Sequence, residues 1–249
     1  MIALYVFWIR QIKKYFRSPA RIIGSLGQPI LYLIALGLGL GTAVGNVSGD
    51  TSYLNFLVPG VVGLTVLFSG IFSGIELISD RRFGFLRETL VAPVRRFWVY
   101  MGMSIGGATI ATVQGFLVLI LSLFFGFRPE SWVKVPLAVG VMFLIAMLFT
   151  MSGLMLATKI RDFQSFPLII NFIIFPLFFL SGAIFPLKGI PQALDNVTKL
   201  NPLTYGVDLL RTLLIGDGFY DPLVTVLILL TLLVIFGLWG RKLFNKMTI

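Results

Sequence analysis

Six long stretches without any charged side chain dominate the pattern of hydrophobic and polar positions along the chain. A helix needs about 20 apolar residues to cross a hydrocarbon core roughly 30 Å thick, and none of the six stretches is shorter than 19 residues. The runs are continuous rather than alternating, which disfavours a closed β-barrel. We therefore predict an all-α membrane protein, a single domain over residues 1–249 with six transmembrane helices. The stretches are Ile22–Gly49, Thr51–Ile75, Phe97–Phe127, Val135–Thr158, Phe163–Leu187 and Pro222–Gly240.

The basic residues lie mainly on alternate connecting segments, which predicts the orientation of the spans. Of the 20 Lys and Arg residues, 15 fall in the N-terminal segment, the second loop, the fourth loop and the C-terminal tail. Lys and Arg concentrate on the cytoplasmic side of membrane proteins. We expect a multi-pass protein of the cytoplasmic (inner) membrane with both termini in the cytoplasm. The net charge of +10 then gives no indication of nucleic-acid binding.

Residues 1–21 predict an amphipathic helix at the membrane interface. At 100° per residue, aromatic and aliphatic side chains fall on one arc and basic side chains on the opposite arc. Such a helix is suited to lie beside anionic lipid; the alternative is a basic flank that only sets the topology. The apolar arc holds Leu4, Tyr5, Trp8, Ile9, Ile12, Tyr15 and Phe16, and the basic arc holds Arg10, Lys13, Lys14, Arg17 and Arg21.

The composition excludes most classes of enzyme. Hydrophobic residues make up 57% of the chain and charged residues 12%, against roughly 45–50% and 25% in globular proteins, so a soluble enzyme is excluded. The chain has no His and no Cys, and the usual general base, the commonest transition-metal ligand and a thiol nucleophile are therefore missing. We expect neither a catalytic site nor a metal site in this chain.

The second loop, residues 79–96, is short and highly charged, and its pattern predicts a helix. Ser79 or Asp80 can cap the start of a helix, and Pro93 can end it. Apolar residues at intervals of three and four give the helix one apolar stripe. Such a helix either docks on a cytosolic partner or lies on the lipid headgroups. The stripe consists of Phe83, Leu86 and Leu90.

Glu76 is the one acidic residue within or at the edge of a predicted span, one turn before Asp80. Charged groups in hydrocarbon are costly and often functional. Two interpretations stay open: a headgroup-level carboxylate that pairs with Arg81 or Arg82, and an ion pair that closes a gate.

Other residues inside the spans are candidates for contacts with a substrate or between helices. Aromatic residues around one Asn in the fifth span could line a conduit for an apolar or amphipathic substrate, or the rings could face lipid. Three Gly-x-x-x-Gly pairs could let helices approach closely. The candidates for the conduit are Asn171, Phe172, Phe175 and Phe179, and the glycine pairs are Gly37 and Gly41, Gly70 and Gly74, and Gly102 and Gly106.

Two sequence motifs are similar to those of a known family. The first runs from Glu76 through Asp80-Arg-Arg-Phe-Gly-Phe-Leu-Arg-Glu-Thr-Leu-Val-Ala-Pro93. The second combines Leu180-Ser-Gly-Ala-Ile-Phe-Pro-Leu-Lys-Gly-Ile-Pro191 with Leu200-Asn-Pro-Leu-Thr-Tyr-Gly-Val-Asp-Leu-Leu-Arg211. They resemble the first cytoplasmic loop and the fifth span with its external loop in ABC-2 type export permeases, especially the drug-resistance branch with the daunorubicin-type permeases. The six-span plan and the basic N-terminus agree, so the resemblance covers the whole chain.

The resemblance implies a half-transporter, which a second copy of the chain and two ATP-binding-cassette subunits would complete. ATP and Mg²⁺ would bind to the partner ATPase, because this chain has no phosphate loop and needs no cofactor of its own. Residues 1–21 would form the interfacial connecting helix, and residues 186–221 would form short external re-entrant helices between spans 5 and 6. The second loop would be the coupling helix that contacts the ATPase. Its coupling residues would be Arg81, Arg82, Phe83, Gly84, Leu86, Arg87, Glu88 and Leu90.

The sequence thus predicts the membrane-spanning subunit of an ABC exporter that moves a hydrophobic or lipid-like compound outward. An alternative within the same family is an export permease for lipid-linked polysaccharide. A different class is an ion-driven secondary transporter, which usually needs acidic residues at mid-membrane, and the predicted spans hold none there. A membrane scaffold that transports nothing is a further alternative, and ATPase activity stimulated by a lipophilic substrate would distinguish it.

Overall fold

The computed structural model describes residues 2–41, 46–48, 51–86, 94–160, 162–186 and 191–247, and this part of the chain is almost entirely helical. A π-helical segment, Leu33–Leu40, continues α2, and a short 3₁₀ turn, Trp132–Lys134, precedes α6. Two short antiparallel strands, β1 (Asn46–Ser48) and β2 (Thr51–Ser52), precede α3. The helices are α1 (Ile2–Phe16), α2 (Pro19–Tyr32), α3 (Tyr53–Phe72), α4 (Gly74–Arg82), α5 (Arg96–Phe124), α6 (Val135–Lys159), α7 (Ser165–Phe179), α8 (Gln192–Leu200), α9 (Pro202–Ile215) and α10 (Pro222–Asn245).

Within the described residues, five segments are long and apolar enough to cross a membrane, and each overlaps one of the six predicted stretches. They are Pro19–Gly39, Tyr53–Arg82, Arg96–Phe124, Trp132–Lys159 and Pro222–Asn245.

The fifth predicted stretch, Phe163–Leu187, holds a shorter apolar helix. At a rise of about 1.5 Å per residue, the 15 residues of α7 are roughly 22 Å long. The chain leaves the helix at Leu180, and Gly182 adopts a φ of 72°, in the left-handed region. Pro176 lies in the last turn of α7, where its ring removes one helical hydrogen bond. The apolar run therefore continues beyond the end of the helix.

The core of the bundle consists of α3, α5 and α6, while α2 and α10 lie outside it and remain largely exposed. Close packing depends on glycine, as the Gly70 and Gly74 pair predicts. A Cβ at Gly70 would crowd the carbonyl oxygen of Ala146, and one at Gly74 would clash with the carbonyl of Gly153 on α6. These two positions let α3 and α4 approach α6 backbone to backbone.

Helix α1 lies across the N-terminal part of α5, in a groove formed by the Gly102 and Gly106 pair. A Cβ at Gly102 would clash with Leu4 and Phe7, and one at Gly106 would clash with Gln11. The buried face of α1 therefore differs from the predicted apolar arc. It consists of Phe7, Gln11 and Tyr15, whereas Tyr5, Phe16, Lys13 and Lys14 are exposed.

The predicted start of the coupling helix is wrong. Ser79 and Asp80 are not N-terminal caps but lie inside α4, which begins at Gly74 and ends at Arg82. A turn follows at Phe83 and Gly84, and Gly84 has a φ of 82°, the left-handed conformation that ends many helices.

This turn also separates the members of the predicted apolar stripe. An apolar stripe at this spacing needs one continuous helix through residues 83–90, but Gly84 breaks the helical periodicity directly after Phe83. Phe83 is 82% exposed, whereas Leu86 is 2% exposed and packs in the core. Arg87, Glu88, Leu90 and Pro93 lie outside the described residues.

Two short helices, α8 and α9, fall within residues 186–221, where the sequence predicts short helices. The side chain of Asn201 begins α9 by accepting a hydrogen bond from the Leu203 amide at 3.0 Å, and Pro202 occupies the first turn. Most of α9 is buried against α3, α6 and α10. This short helix therefore packs on the bundle core and is not part of a surface loop.

Candidate functional site

A groove of about 400 Å³ lies between α2, α3 and α7, with α5 at its base. Its wall combines aromatic and aliphatic side chains with hydroxyl and amide groups and one guanidinium group. The lining residues are Arg21, Gly24, Ser25, Gln28, Pro29, Leu64, Thr65, Phe68, Ser69, Phe72, Gln114 and Asn171.

Helical periodicity brings these side chains to one surface. Arg21, Ser25 and Gln28 follow at intervals of four and three residues on α2, so they share one face. Thr65 and Ser69 are four residues apart on α3, so they also share one face. The sequence analysis did not predict this polar stripe, although the spacing of its residues is visible in the sequence.

Two amide side chains reach the groove from the other helices. Gln114 of α5 donates a hydrogen bond from Nε2 to the hydroxyl oxygen of Tyr15 at 3.1 Å, which ties α1 to the base of the groove. Asn171 comes from α7. No side-chain hydrogen bond joins Asn171 or Gln28 to another residue in the described part of the chain, so both amides are available to a ligand.

The four candidates for the conduit do not lie together. Asn171 lines the groove, and the ring of Phe175 contacts Phe68 at its border, with 6.1 Å between ring centroids. Phe172 is 83% exposed, and Phe179, also exposed, stacks on Phe175. Phe172 and Phe179 are absent from the groove lining, because α7 turns them to its outer face.

Glu76 forms an ion pair at one end of the groove, but its partner is not the predicted one. Arg21 donates from Nη1 to Oε1 of Glu76 at 2.7 Å. Arg81 and Arg82 are five and six residues further along the same helix, about 120–140° around its axis, so they point away from Glu76. The prediction of an Arg81 or Arg82 partner is therefore wrong, and the pair instead joins α2 to α4.

A second ion pair lies one helical turn along α4 and joins it to α1. Arg10 donates from Nη1 and Nη2 to the two carboxylate oxygens of Asp80, at 2.7 and 2.6 Å. The guanidinium also lies 3.8 Å from the ring centroid of Phe85. The hydrogen bond from Arg10 to Asp80 raises the pKa of Arg10 above its ordinary value. This bidentate geometry holds the N-terminal helix against the start of the second loop.

The remaining coupling candidates fall into two environments. Arg81 points inward, with Nη2 donating to the carbonyl oxygen of Thr158 at 3.4 Å and to the sulfur of Met247 at 2.8 Å. Arg82 and Phe83 are exposed. Gly84 provides the turn between them and the buried Leu86.

The loop between α6 and α7 lies beside Arg82. A cavity of about 440 Å³ has Ile78, Arg81 and Arg82 on one side and residues 162–164 on the other. Asp162 accepts hydrogen bonds from the hydroxyl of Ser165 and from backbone amides, and these bonds lower its pKa. We call the exposed part of this region the loop-end surface, defined as Arg82, Phe83, Asp162, Phe163 and Gln164.

The opposite end of the groove is closed by packing. Tyr32 contacts Phe178 with 5.9 Å between ring centroids, and a Cβ on Gly60 would clash with the carbonyl of Ala183. The buried Arg211 guanidinium donates to the carbonyl oxygen of Gly182 at 3.0 Å and fixes the turn that follows α7. The groove is thus open beside the ion pairs and sealed at the other end.

Comparison with known proteins identifies the family. The ABC-2 type transporter family matches residues 2–215. The chain is 28% identical to the putative transport permease ycf38 of Cyanophora paradoxa over 254 positions, which cover 98% of this chain and 88% of that protein. It is 29% identical to the inner membrane transport permease YadH of Escherichia coli (strain K12), covering 95% of this chain and 92% of YadH. It is also 29% identical to nodulation protein J of Rhizobium meliloti (strain 1021), in a match that covers 83% of this chain and 77% of that protein.

The family match covers the groove, both ion pairs, the loop-end surface and α9, which together make up most of the described bundle. The chain belongs to the ABC-2 type transporter family and is the membrane subunit of an ABC transporter.

Proposed function

We propose that this subunit exports a hydrophobic or lipid-like compound, working as a pair of copies with two ATP-binding-cassette subunits that bind ATP and Mg²⁺. The observation that carries the proposal is the groove. It begins at the ion-paired end of α2 and α4 and reaches Gln114 and Asn171 within α5 and α7. The alternating distribution of Lys and Arg favours a cytoplasmic position for the ion-paired end. The groove would then be open to the cytoplasm and closed to the outside, the state that receives a substrate for export.

The two ion pairs support a mechanical role for the N-terminal helix. Arg10 and Arg21 connect α1 and α2 to neighbouring turns of α4, which leads directly into the loop-end surface. A displacement of that surface by an ATPase would therefore move α4, α1 and the open end of the groove together. The exposed apolar side chains Ile2, Tyr5 and Phe16 would meanwhile contact membrane lipid.

The loop-end surface is the proposed docking site for the ATPase. Phe83 is exposed next to Arg82, and Arg82 lines a cavity together with Asp162. A projecting aromatic ring with charges at its rim is typical of an anchor in a protein interface. Leu86 supports this surface from inside the core and does not contact the partner.

On the far side, α8 and α9 would form the short external re-entrant helices. Irregular backbone at membrane depth is tolerated where protein buries it, and the burial of α9 against three spans is consistent with that requirement. An ion-driven mechanism receives less support. Within the described spans the acidic residues are Glu76 and Asp80, and each is paired with an arginine.

Two glycines of α2 provide a matched test of the groove. An added Cβ at Gly24 or at Gly27 meets no atom within 4 Å, so the fold accommodates a side chain at either position. Gly24 lines the groove, whereas Gly27 is not among the lining residues. Leucine has a similar effect on helix propensity at both sites.

We expect Gly24→Leu to lower substrate-stimulated ATP hydrolysis by about tenfold in the reconstituted complex with its ATPase, a loss of about 1.4 kcal/mol of productive binding. Gly27→Leu should retain wild-type stimulation. Normal stimulation in Gly24→Leu would mean that the groove is not the substrate site. If no lipophilic compound stimulated the wild-type complex, the export proposal itself would be wrong.

A further inference from the structure

Two arginines at opposite ends of the second loop bind the same turn of α10. Arg81, in the last turn of α4, donates from Nη2 to the sulfur of Met247 at 2.8 Å and to the carbonyl oxygen of Thr158 at 3.4 Å. Arg96, the first residue of α5, donates from Nη1 to the carbonyl oxygens of Asn245 and Met247 at 3.0 and 2.9 Å. Met247 is therefore a shared partner. We call Arg81, Arg96, Asn245 and Met247 the α10 clamp.

The end of α10 suits a cationic partner. The last carbonyl groups of a helix have no partner within the helix, and their partial negative charge favours a cation. Since α10 ends at Asn245, Arg96 binds at this position. Stabilisation of α10 alone would account for Arg96 but not for Arg81, which reaches Met247 from the other end of the second loop.

Packing beside the clamp joins α5 to α10 over two further turns. The hydroxyl of Tyr100 donates to the carbonyl oxygen of Phe236 at 3.3 Å, and its ring centroid lies 5.4 Å from that of Phe244. A Cβ at Gly240 would clash with the same hydroxyl. Phe244 and Met247 are both buried. The end of α10 is thus a packed support for the clamp.

The loop-end surface starts directly after the first arginine of the clamp. Phe83 is 82% exposed and follows Arg81 by two residues. The turn at Gly84 has a φ of 82°, and glycine is conformationally permissive. A surface that must be ordered when a partner binds loses affinity. Fixing α4 before this turn and α5 after the loop lowers that cost.

We propose that the α10 clamp pre-organises the loop-end surface for the ATPase, with Arg81 and Arg96 as positioning residues. This inference rests on the proposed docking of the ATPase at the loop-end surface and gives α10 a role in that docking. It predicts that loss of the clamp weakens the binding of the ATPase and leaves the activity of the bound complex unchanged.

A titration separates affinity from activity. Binding of a fluorescently labelled ATPase to the full-length chain in lipid nanodiscs gives the dissociation constant, and ATP hydrolysis at saturating ATPase gives the activity of the complex. We expect Arg96→Ala to raise the dissociation constant by about tenfold and to keep the activity at saturation. A variant that was only partly folded would instead lower the amount of ATPase bound, with the same dissociation constant. Arg96→Lys can still donate to a carbonyl group at the end of the helix, so it should recover most of the affinity.

Two further variants distinguish the clamp from a direct contact of Arg96 with the ATPase. Arg95 precedes Arg96, is exposed and lies outside the clamp, so Arg95→Ala removes the same charge and should bind the ATPase like wild type. Met247 is only 6% exposed and is shielded from a partner. Met247→Ala should nevertheless weaken binding to a similar extent, because it removes the sulfur acceptor and the packing that fixes the carbonyl group.

Amide hydrogen exchange of the chain alone tests the clamp without the ATPase. The amide of Phe83 donates to the carbonyl oxygen of Ser79 at 2.9 Å, and the amide of Met247 donates to that of Phe244 at 3.4 Å. Both amides should exchange about tenfold faster in Arg96→Ala and at the wild-type rate in Arg95→Ala. Unchanged exchange at Phe83 would overturn the proposal, because the clamp would then not hold the loop.

The binding data overturn the proposal in three ways. Wild-type affinity in Arg96→Ala would show that docking does not need the clamp. Equal losses in Arg95→Ala and Arg96→Ala would indicate a general effect of basic charge. A loss in Arg96→Ala without one in Met247→Ala would indicate a direct contact. If the wild-type chain itself did not bind its ATPase, the docking proposal would fail and this inference with it, whereas the three results above leave the docking proposal intact.

Discussion

Replacement of Asp80 with Asn should release α1 from α4. The carboxylate of Asp80 is buried and accepts two hydrogen bonds from Arg10, at 2.7 and 2.6 Å. Asparagine is nearly isosteric but has one acceptor oxygen and no charge, so one bond and the ionic attraction are lost.

The size of the effect follows from the burial of the two partners. Removing one partner of a fully buried pair costs about 3–5 kcal/mol, and a hydrogen bond to a charged group is worth about 1.5–3 kcal/mol. The Arg10 side chain is 30% exposed, so water can solvate it after the substitution. We therefore expect the free energy of opening α1 to fall by about 2 kcal/mol, towards the lower end of these values.

Hydrogen exchange of the α1 backbone amides measures this opening directly. A loss of about 2 kcal/mol should accelerate their exchange by about thirtyfold, since each 1.36 kcal/mol is a factor of ten. Glu130→Gln is a matched control, because Glu130 pairs with Lys134 at 3.3 Å on an exposed surface. Such a pair is worth less than about 1 kcal/mol, and exchange in α1 should not change.

A double-mutant cycle separates the ion pair from indirect effects of either substitution. If Arg10 and Asp80 act as a pair, Arg10→Gln combined with Asp80→Asn should cost much less than the sum of the two single variants. Exchange in α1 that stays within about twofold of wild type in Asp80→Asn would refute the claim that this ion pair helps to hold α1 in place.

Three further outcomes follow from the same structure. Phe83→Ala should change the free energy of unfolding by no more than about 0.5 kcal/mol but abolish substrate-stimulated ATP hydrolysis, and normal stimulation in this variant would contradict the docking site. Leu86→Ala, by contrast, should lower the free energy of unfolding by about 2–5 kcal/mol. In intact cells, an impermeant thiol reagent should label a cysteine at Asp195 and not one at Lys246, and the reverse pattern would invert the proposed topology. Chemical crosslinking of the active complex should trap a dimer of this chain, and a complex with one copy would exclude the paired arrangement.

Much of the fold was readable from charge-free runs, because a membrane span must exclude charge over its whole length. The early end of α7 was not readable this way, since hydropathy does not register the backbone turn at Gly182. The start of the coupling helix was misjudged for a related reason. Ser79 and Asp80 are common capping residues, but here they belong to a helix that Ser73 separates from α3.

The candidate site depended more on tertiary contacts. Arg21 and Glu76 are 55 residues apart, and nothing in the local pattern connects them. Asn171 was predicted because an amide in the middle of an apolar span is conspicuous. The spacing of Ser25 and Gln28 was equally visible, but these two residues were taken only as part of a span. Whether Phe172 lines the groove or faces outward depends on the rotation of α7, which packing fixes.

Directional transport driven by the partner ATPase is the function on which the proposed roles of the groove and the loop-end surface depend. Proteoliposomes that contain the purified chain with its ATPase, and a fluorescent lipophilic probe, provide the most direct measurement. With ATP supplied on one side, we predict that the probe moves away from that side, and that it does not move without ATP or without the ATPase. Movement towards the nucleotide side, or movement that follows an ion gradient in the absence of ATP, would contradict the account.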